Sequence, residues 1–198
     1  MKFSIIMPSY LGEYVNCAKD RDIKFKRAVD SVISQLFEDW ELIIISDGCH
    51  ETVDIYKSDY IHLYPKVQCI YIDKQQGNFV GIVRQKGIEI SKGKYITYLD
   101  TDDYFNDDHL QKLEPQLKSY DWVYYDNFIN GKIREIDYYR MTTSSVTHKN
   151  SLDVTWKGCN GYGQDFNFAY QLYKNFPNHA KISYTGYVVC HTVGGVDL

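Results

Sequence analysis

The chain has 198 residues, 44% of them hydrophobic and 24% charged, which is ordinary for one soluble domain with a sizeable core. A formal charge of −4 argues against a nucleic-acid-binding surface, and no apolar run approaches a membrane span. Five widely spaced cysteines contain no Cys-x-x-Cys pair, so neither a zinc knuckle nor a redox dithiol is suggested; free thiols in a reducing compartment are expected. The amino terminus enters a strand-like run too short for a signal-peptide core, so a soluble, cytoplasmic protein is expected.

In chain order, Phe3–Met7 reads as a short strand stopped by Pro8, followed by a loop from Ser9 to Glu13. Phe25, Ala28, Val29, Val32, Ile33 and Leu36 share one face of a helix. Trp40–Ile45 and Val67–Ile72 are further strands, the first closed by Ser46-Asp47-Gly48. A helix from Phe79 to Ile90 leads through Lys92-Gly93 into the strand Tyr95–Leu99. Strands alternating with helices indicate an α/β fold with a mostly parallel central sheet and right-handed crossovers. Asp107 or Asp108 can cap a short helix carrying Leu110, Leu113 and Leu117, bent or shortened by Pro115. Trp122–Phe128 and Lys132–Ile136 flank the hairpin signal Asn130-Gly131. Tyr138–Lys157 is polar and aperiodic, a long loop of the kind that is often functional. Gln164–Lys174 reads as a helix and Tyr187–Cys190 as a last strand, and no linker divides the chain.

The densest chemical signal is Leu99-Asp100-Thr101-Asp102-Asp103. Three carboxylates within four residues end a buried strand, where open α/β sheets bind ligands. Neighbouring anions raise each other's ionisation cost, so a hard divalent cation, Mn²⁺ or Mg²⁺, is an apt partner. Acidic turns also follow strands without binding anything. Four further features fall at strand ends or helix starts. Pro8-Ser9-Tyr10 can contact a base or ribose, with Tyr10 stacking, or be a plain strand exit. Asp47 can accept hydrogen bonds from a base or ribose, or simply cap its turn. Gly77-Asn78 with Gly81, Arg84 and Gln85 places an arginine where it can reach a phosphate, pair with the acidic cluster or face solvent. Gly158, Gly161 and Gly163 lead into Gln164-Asp165, where an acid suits the helix dipole whatever its role, and Asp165 can act as a general base. His191, at a predicted strand end, can complete a metal site or be structural.

Taken in order these motifs resemble a nucleotide-sugar-dependent glycosyltransferase of the GT-A fold, family 2. Pro8-Ser9-Tyr10 matches the family's first-strand loop, and Trp40–Gly48 its second strand, with Asp47 at the base-recognition position. Gly81–Ile88, then Ser91–Ile96 and Leu99–Asp103, match the helix and Asp-x-Asp strand; Gly163-Gln164-Asp165 is similar to the later Glu-Asp segment, with Gln164 in place of the glutamate. The resemblance implies a single domain with a nucleotide-sugar half, residues 1–105, and a smaller acceptor half, residues 106–198. It implies a UDP-sugar donor bound by Pro8, Ser9, Tyr10, Asp47, Asn78, Arg84, Asp100 and Thr101. Mn²⁺ or Mg²⁺ would be held by Asp102 with His191, and by Asp100, directly or through water. Asp165 would deprotonate a glycan or glycoprotein hydroxyl. A narrower resemblance, to the amino-terminal domain of chlorovirus enzymes that glycosylate the capsid, would make the acceptor a viral capsid protein in the host cytoplasm. The rival readings are a non-catalytic nucleotide- or glycan-binding domain and an aspartate-based phosphotransferase. The latter carries Asp-x-Asp after its first strand, whereas here the motif follows about the fourth.

Overall fold

A computed structural model describes residues 1–14, 17, 19–73, 80–159, 161 and 163–190. Two sheets organise it. The larger has strands β1 (Phe3–Ser9), β2 (Trp40–Asp47), β3 (Val67–Ile72), β4 (Tyr95–Tyr98), β6 (Trp122–Tyr125), β9 (Val146–Lys149) and β10 (His179–Ile182), in the order β10-β6-β9-β4-β1-β2-β3. All neighbouring pairs are parallel except those of β9, which runs antiparallel to both β4 and β6. The smaller sheet, in the order β5-β11-β7-β8, is built from β5 (Tyr104–Phe105), β7 (Asn127–Ile129), β8 (Lys132–Arg134) and β11 (Tyr187–Val189).

Alternation along β1 explains the layering. Phe3, Ile5 and Met7 face a core completed by Phe25, Ala28, Val29 and Val32 of α1 (Arg21–Ile33). Leu110, Leu113 and Leu117 of α4 (His109–Ser119) extend it. Ile6 faces the other way, with Ile96 and Tyr98, toward Phe168, Ala169 and Leu172 of α5 (Gln164–Asn175). Helix α3 (Val80–Ile90) packs on the same side, its Val83 against Ile43 and Ile45. Ser4 is buried on that face too; its hydroxyl donates to Glu41 at 2.6 Å and accepts from the Gly93 N–H at 2.8 Å. That contact locks the turn that feeds β4.

Several expectations are corrected. Pro8 lies inside β1 rather than stopping it. The β4 ladder ends at Ile6, so beyond that point β1 pairs on one side only, where a missing N–H is tolerated. Helix α4 is not shortened at Pro115 but runs on to Ser119, with the proline on the exposed face, where water can take the carbonyl it orphans. The run Trp122–Phe128 is two strands in two sheets, broken at Asp126, whose carboxylate accepts the Ile136 N–H at 2.8 Å. Asn130 and Gly131, with φ of 51° and 75°, make the expected hairpin turn between β7 and β8. The supposed loop 138–157 contains β9, a buried central strand. Its polar side chains are paired: Thr147 donates to Thr97 at 3.0 Å, and His148 shares a 2.8 Å hydrogen bond with Tyr98. The stretch between β2 and β3 holds α2 (His50–Ile55), a π-turn and a 3₁₀ turn. Because β6, β9 and β10 complete the larger sheet, residues before and after 105 share one framework.

Candidate active site

The acidic turn is built at the carboxyl end of β4. Leu99 N–H donates to Ile6 at 3.0 Å, holding the chain beside β1, and Asp103 N–H closes the turn on Asp100 at 3.1 Å. The three carboxylates then separate by role. Asp103, 3% exposed, accepts from the Tyr187 hydroxyl at 2.9 Å and from the Cys190 N–H at 2.8 Å. Burial first, then the charges of Asp102 and Asp100, push its carboxyl well above the usual range against those two hydrogen bonds. Asp103 is thus an anchor that ties the end of β11 to the turn. Asp100 N–H donates to the same Tyr187 hydroxyl at 3.3 Å, and Arg27 donates to the Asp102 carbonyl at 2.6 Å with its guanidinium over the Tyr104 ring.

Asp100 meets Arg84. This arginine, on the inward face of α3 with a side chain 4% exposed, donates to Asp100 at 2.7 Å and to Asp165 at 3.1 Å. It also donates to the Thr143 hydroxyl at 3.3 Å and lies 5.1 Å from the Trp156 ring centroid. Trp156 is itself stacked on Phe168 at 4.1 Å. Burial alone would weaken the guanidinium's charge, but Asp100 and Asp165 hold its pKa above the ordinary value, so it stays cationic. Burial, with Asp102 and Asp165, holds the Asp100 carboxyl above its ordinary range despite Arg84. The first residues of α5 are fastened to α3, since Gln164 accepts the Gly81 N–H at 3.0 Å. Asp165 opens onto a cleft of about 480 Å³ lined by Tyr139, Arg140, Thr142, Gly163 and Phe166. A larger hollow of about 740 Å³ lies between α1 and β5, lined by Arg27 and Tyr104 rather than by the Asp100 or Asp165 carboxylates.

Of the sequence-predicted residues, Asp100, Arg84 and Asp165 come together. Arg84 is committed to the two carboxylates, not presented to solvent. Pro8 and Ser9 lie inside β1 rather than in a loop, both buried, with the Ser9 hydroxyl sharing a hydrogen bond with Thr52 at 2.8 Å. Tyr10, half-buried, follows them at the strand end with Arg21 5.9 Å from its ring. Asp47 ends β2 beside Ile72 of β3, and Thr101 is buried in the turn, with little surface to offer a ligand. Asn78 and His191 lie outside the described residues. Sequence reasoning missed Thr143, Tyr187 and Arg27; a serine- and threonine-rich stretch, a strand tyrosine and a helix arginine carry no positional signal of their own.

Arg84 supplies the counter-charge to Asp100, and Tyr187 with Cys190 satisfies Asp103. Among the described residues no group of three or more histidines, cysteines or carboxylates gathers as a complete cation site. The hard oxygen donors of Asp102 and Asp100 still fit a cation held by one or two carboxylates together with substrate phosphates.

Residues 4–180 match the sequence profile described as glycosyl transferase family 2. An uncharacterized glycosyltransferase, MG025 of Mycoplasma genitalium, is 32% identical over 114 residues, covering 56% of this chain and 35% of its own. The minor teichoic acid biosynthesis protein GgaB of Bacillus subtilis is 33% identical over 103 residues, covering 51% of this chain and 10% of its own. The chain therefore spans about a third or less of these relatives. S. aureus TarS 1–349 in complex with UDP-GlcNAc superposes with a TM-score of 0.76 at 17% identity, covering 98% of this chain and 60% of that one. That likeness establishes the GT-A-like α/β architecture. Matched along most of its length and folded as expected, the chain belongs to glycosyl transferase family 2.

Proposed function

We propose that this chain transfers a glycosyl group from a UDP-sugar to a hydroxyl of a glycan or glycoprotein acceptor. The observation that carries the reading is the Arg84 bridge. One guanidinium holds the donor-side carboxylate Asp100 and the acceptor-side carboxylate Asp165 within 2.7 and 3.1 Å of itself, at the carboxyl end of a parallel sheet. Donor and acceptor groups are thereby fixed in one geometry before substrates arrive. UDP rather than another nucleotide is favoured by the UDP-GlcNAc complex of the structural neighbour.

Tyr10 and Asp47, at the ends of adjacent strands, are assigned to the base and ribose. Asp102, with Asp100 directly or through water, would hold Mn²⁺ or Mg²⁺, which supplies positive charge to the diphosphate leaving group. Asp165 accepts the proton of the acceptor hydroxyl as its oxygen attacks the anomeric carbon and the bond from that carbon to the diphosphate breaks, releasing UDP. Attack opposite the leaving group inverts the anomeric centre. Trp156 and the α3–α5 contacts keep Asp165 in place. The named relatives are bacterial, one of them a teichoic acid biosynthesis protein, which favours a carbohydrate hydroxyl as the acceptor.

Two variants separate the roles. Asp102→Ala should lose the Mn²⁺-dependent part of UDP binding, measured by titration calorimetry with metal and with chelator. Asp165→Asn should bind UDP as the wild type does yet fail to transfer. Unchanged Mn²⁺-dependent affinity in the first, or full transfer in the second, would remove the corresponding assignment.

A further inference from the structure

The outer face of α5 carries aromatic rings where a surface helix ordinarily carries charge. Phe166, Tyr170 and Tyr173 follow the i, i+4, i+7 spacing of a single face, and both tyrosines are 45% exposed. The turn at 138–140 adds two more rings to the same surface. Tyr138 lies 3.9 Å from Tyr173 and 6.1 Å from Phe166, centroid to centroid, with Tyr139 5.0 Å away and 79% exposed. Phe166 and Tyr170 are 6.2 Å apart. Packing accounts for Tyr138, in the middle of this patch. It does not account for Tyr139 or Tyr170, which give large ring surface to water.

One end of the patch opens into chemistry. Tyr139 and Phe166 line the cleft beside Asp165. The other end, at Tyr173, lies seven residues beyond Phe166 along the helix, or about 10 Å at 1.5 Å per residue. That reach exceeds one sugar ring. Four of the five rings are tyrosines, each joining an apolar face to a polar tip, the combination that matches a pyranose with its C–H face and its rim of hydroxyls. An apolar helix or lipid would favour phenylalanine and leucine instead.

We propose that this patch binds the acceptor as a glycan chain of several pyranose rings, stacked on Tyr139, Phe166, Tyr170 and Tyr173, with its terminal hydroxyl at Asp165. The inference rests on the glycosyl-transfer reading and extends it from a hydroxyl to an oligosaccharide. Recognition through C–H faces depends on ring shape more than on hydroxyl pattern, so simple linear glycans suffice as probes.

The test is saturation-transfer NMR and titration calorimetry with cellohexaose, chitohexaose and maltohexaose, each beside its monosaccharide. The wild type should bind at least one hexasaccharide more tightly than the monosaccharide. The Tyr170→Ala/Tyr173→Ala double variant should lose roughly tenfold or more of that affinity. Tyr64→Ala, 66% exposed on the segment before β3, serves as the surface control and should retain it. Binding of no hexasaccharide, equal binding of monosaccharide and hexasaccharide, or an unaltered double variant would overturn the proposal. A parallel titration of the wild type with UDP and Mn²⁺ separates the two levels. UDP bound without any hexasaccharide sinks the aromatic site alone, whereas neither ligand bound sinks the glycosyltransferase reading with it.

Discussion

Replacing Arg84 should destabilise the protein and dismantle the site together. Breaking a buried ion pair by removing one partner costs about 3–5 kcal/mol, because the remaining charge is stranded. Here the stranded groups are Asp100 and Asp165, whose side chains are 33% and 30% exposed, so water recovers part of the cost. Arg84→Met is therefore expected to lose about 2–3 kcal/mol. In a chain of this size 1 kcal/mol corresponds to about 2–4 °C, which predicts a fall in Tm of about 4–12 °C. Arg84→Lys keeps the charge, but a compact ammonium cannot span two carboxylates as a planar guanidinium does, so it should fall between Met and wild type. Thermal unfolding followed by circular dichroism gives both values. Adding Asp165→Asn to Arg84→Met should yield a double-mutant coupling of roughly 0.5–3 kcal/mol. A Tm for Arg84→Met within about 1 °C of wild type, well under the shift expected for 2 kcal/mol, would refute the bridge as the joint that holds the site.

Three further outcomes follow from the geometry. A Cβ on Gly93 would lie 2.5 Å from the Ser4 nitrogen and 2.6 Å from the Phe3 carbonyl carbon, so Gly93→Ala must move backbone and should cost about 1–3 kcal/mol in urea unfolding; a neutral result would mean the β1–β4 entry is loose. Asp103→Leu leaves the Tyr187 hydroxyl and Cys190 N–H without their acceptor, which should cost about 1–3 kcal/mol and weaken UDP binding; full UDP affinity would free the turn from that anchor. Burial pushes His109 down to about 3 and His148 down to about 4, from an ordinary 6.5. The unfolded chain then binds more protons below pH 6.5, so their contribution is complete above that pH and is lost as pH falls toward 3–4. Between pH 7 and 5 each histidine should remove about 2 kcal/mol. His109→Phe should flatten the urea-stability profile over that range by about this amount, and an identical slope would place His109 in water.

The parallel half of the fold was legible because β1, β2 and β4 are buried on both faces and read as apolar runs. Strand β9 was not legible. Val146-Thr147-His148-Lys149 has the composition of a loop, and only Thr97 and Tyr98, about fifty residues earlier, make its polar side chains suitable for a sheet interior. The break at Asp126 was hidden for a similar reason, since an apolar run does not say which sheet each residue joins. In the site, Asp100 and Asp165 were legible as acids at a strand end and a helix start. Their joint partner was only one of several options for Arg84, because an arginine on a helix shows its inward direction only after α3 is docked. The end of β1 was misplaced at Pro8, because the loop begins two residues later than the proline suggests. The metal argument from crowded carboxylates also weakened once Arg84 met Asp100, and Tyr187 with Cys190 met Asp103.

The most direct test of the central claim is UDP release from a panel of UDP-sugars, followed with Mn²⁺ and with chelator, in wild type and Asp102→Ala. The account predicts slow, metal-dependent hydrolysis of one donor by the wild type, accelerated by acceptor and absent in the variant. UDP bound but never released from any sugar would leave only a nucleotide-binding domain, and the proposed transfer would be contradicted.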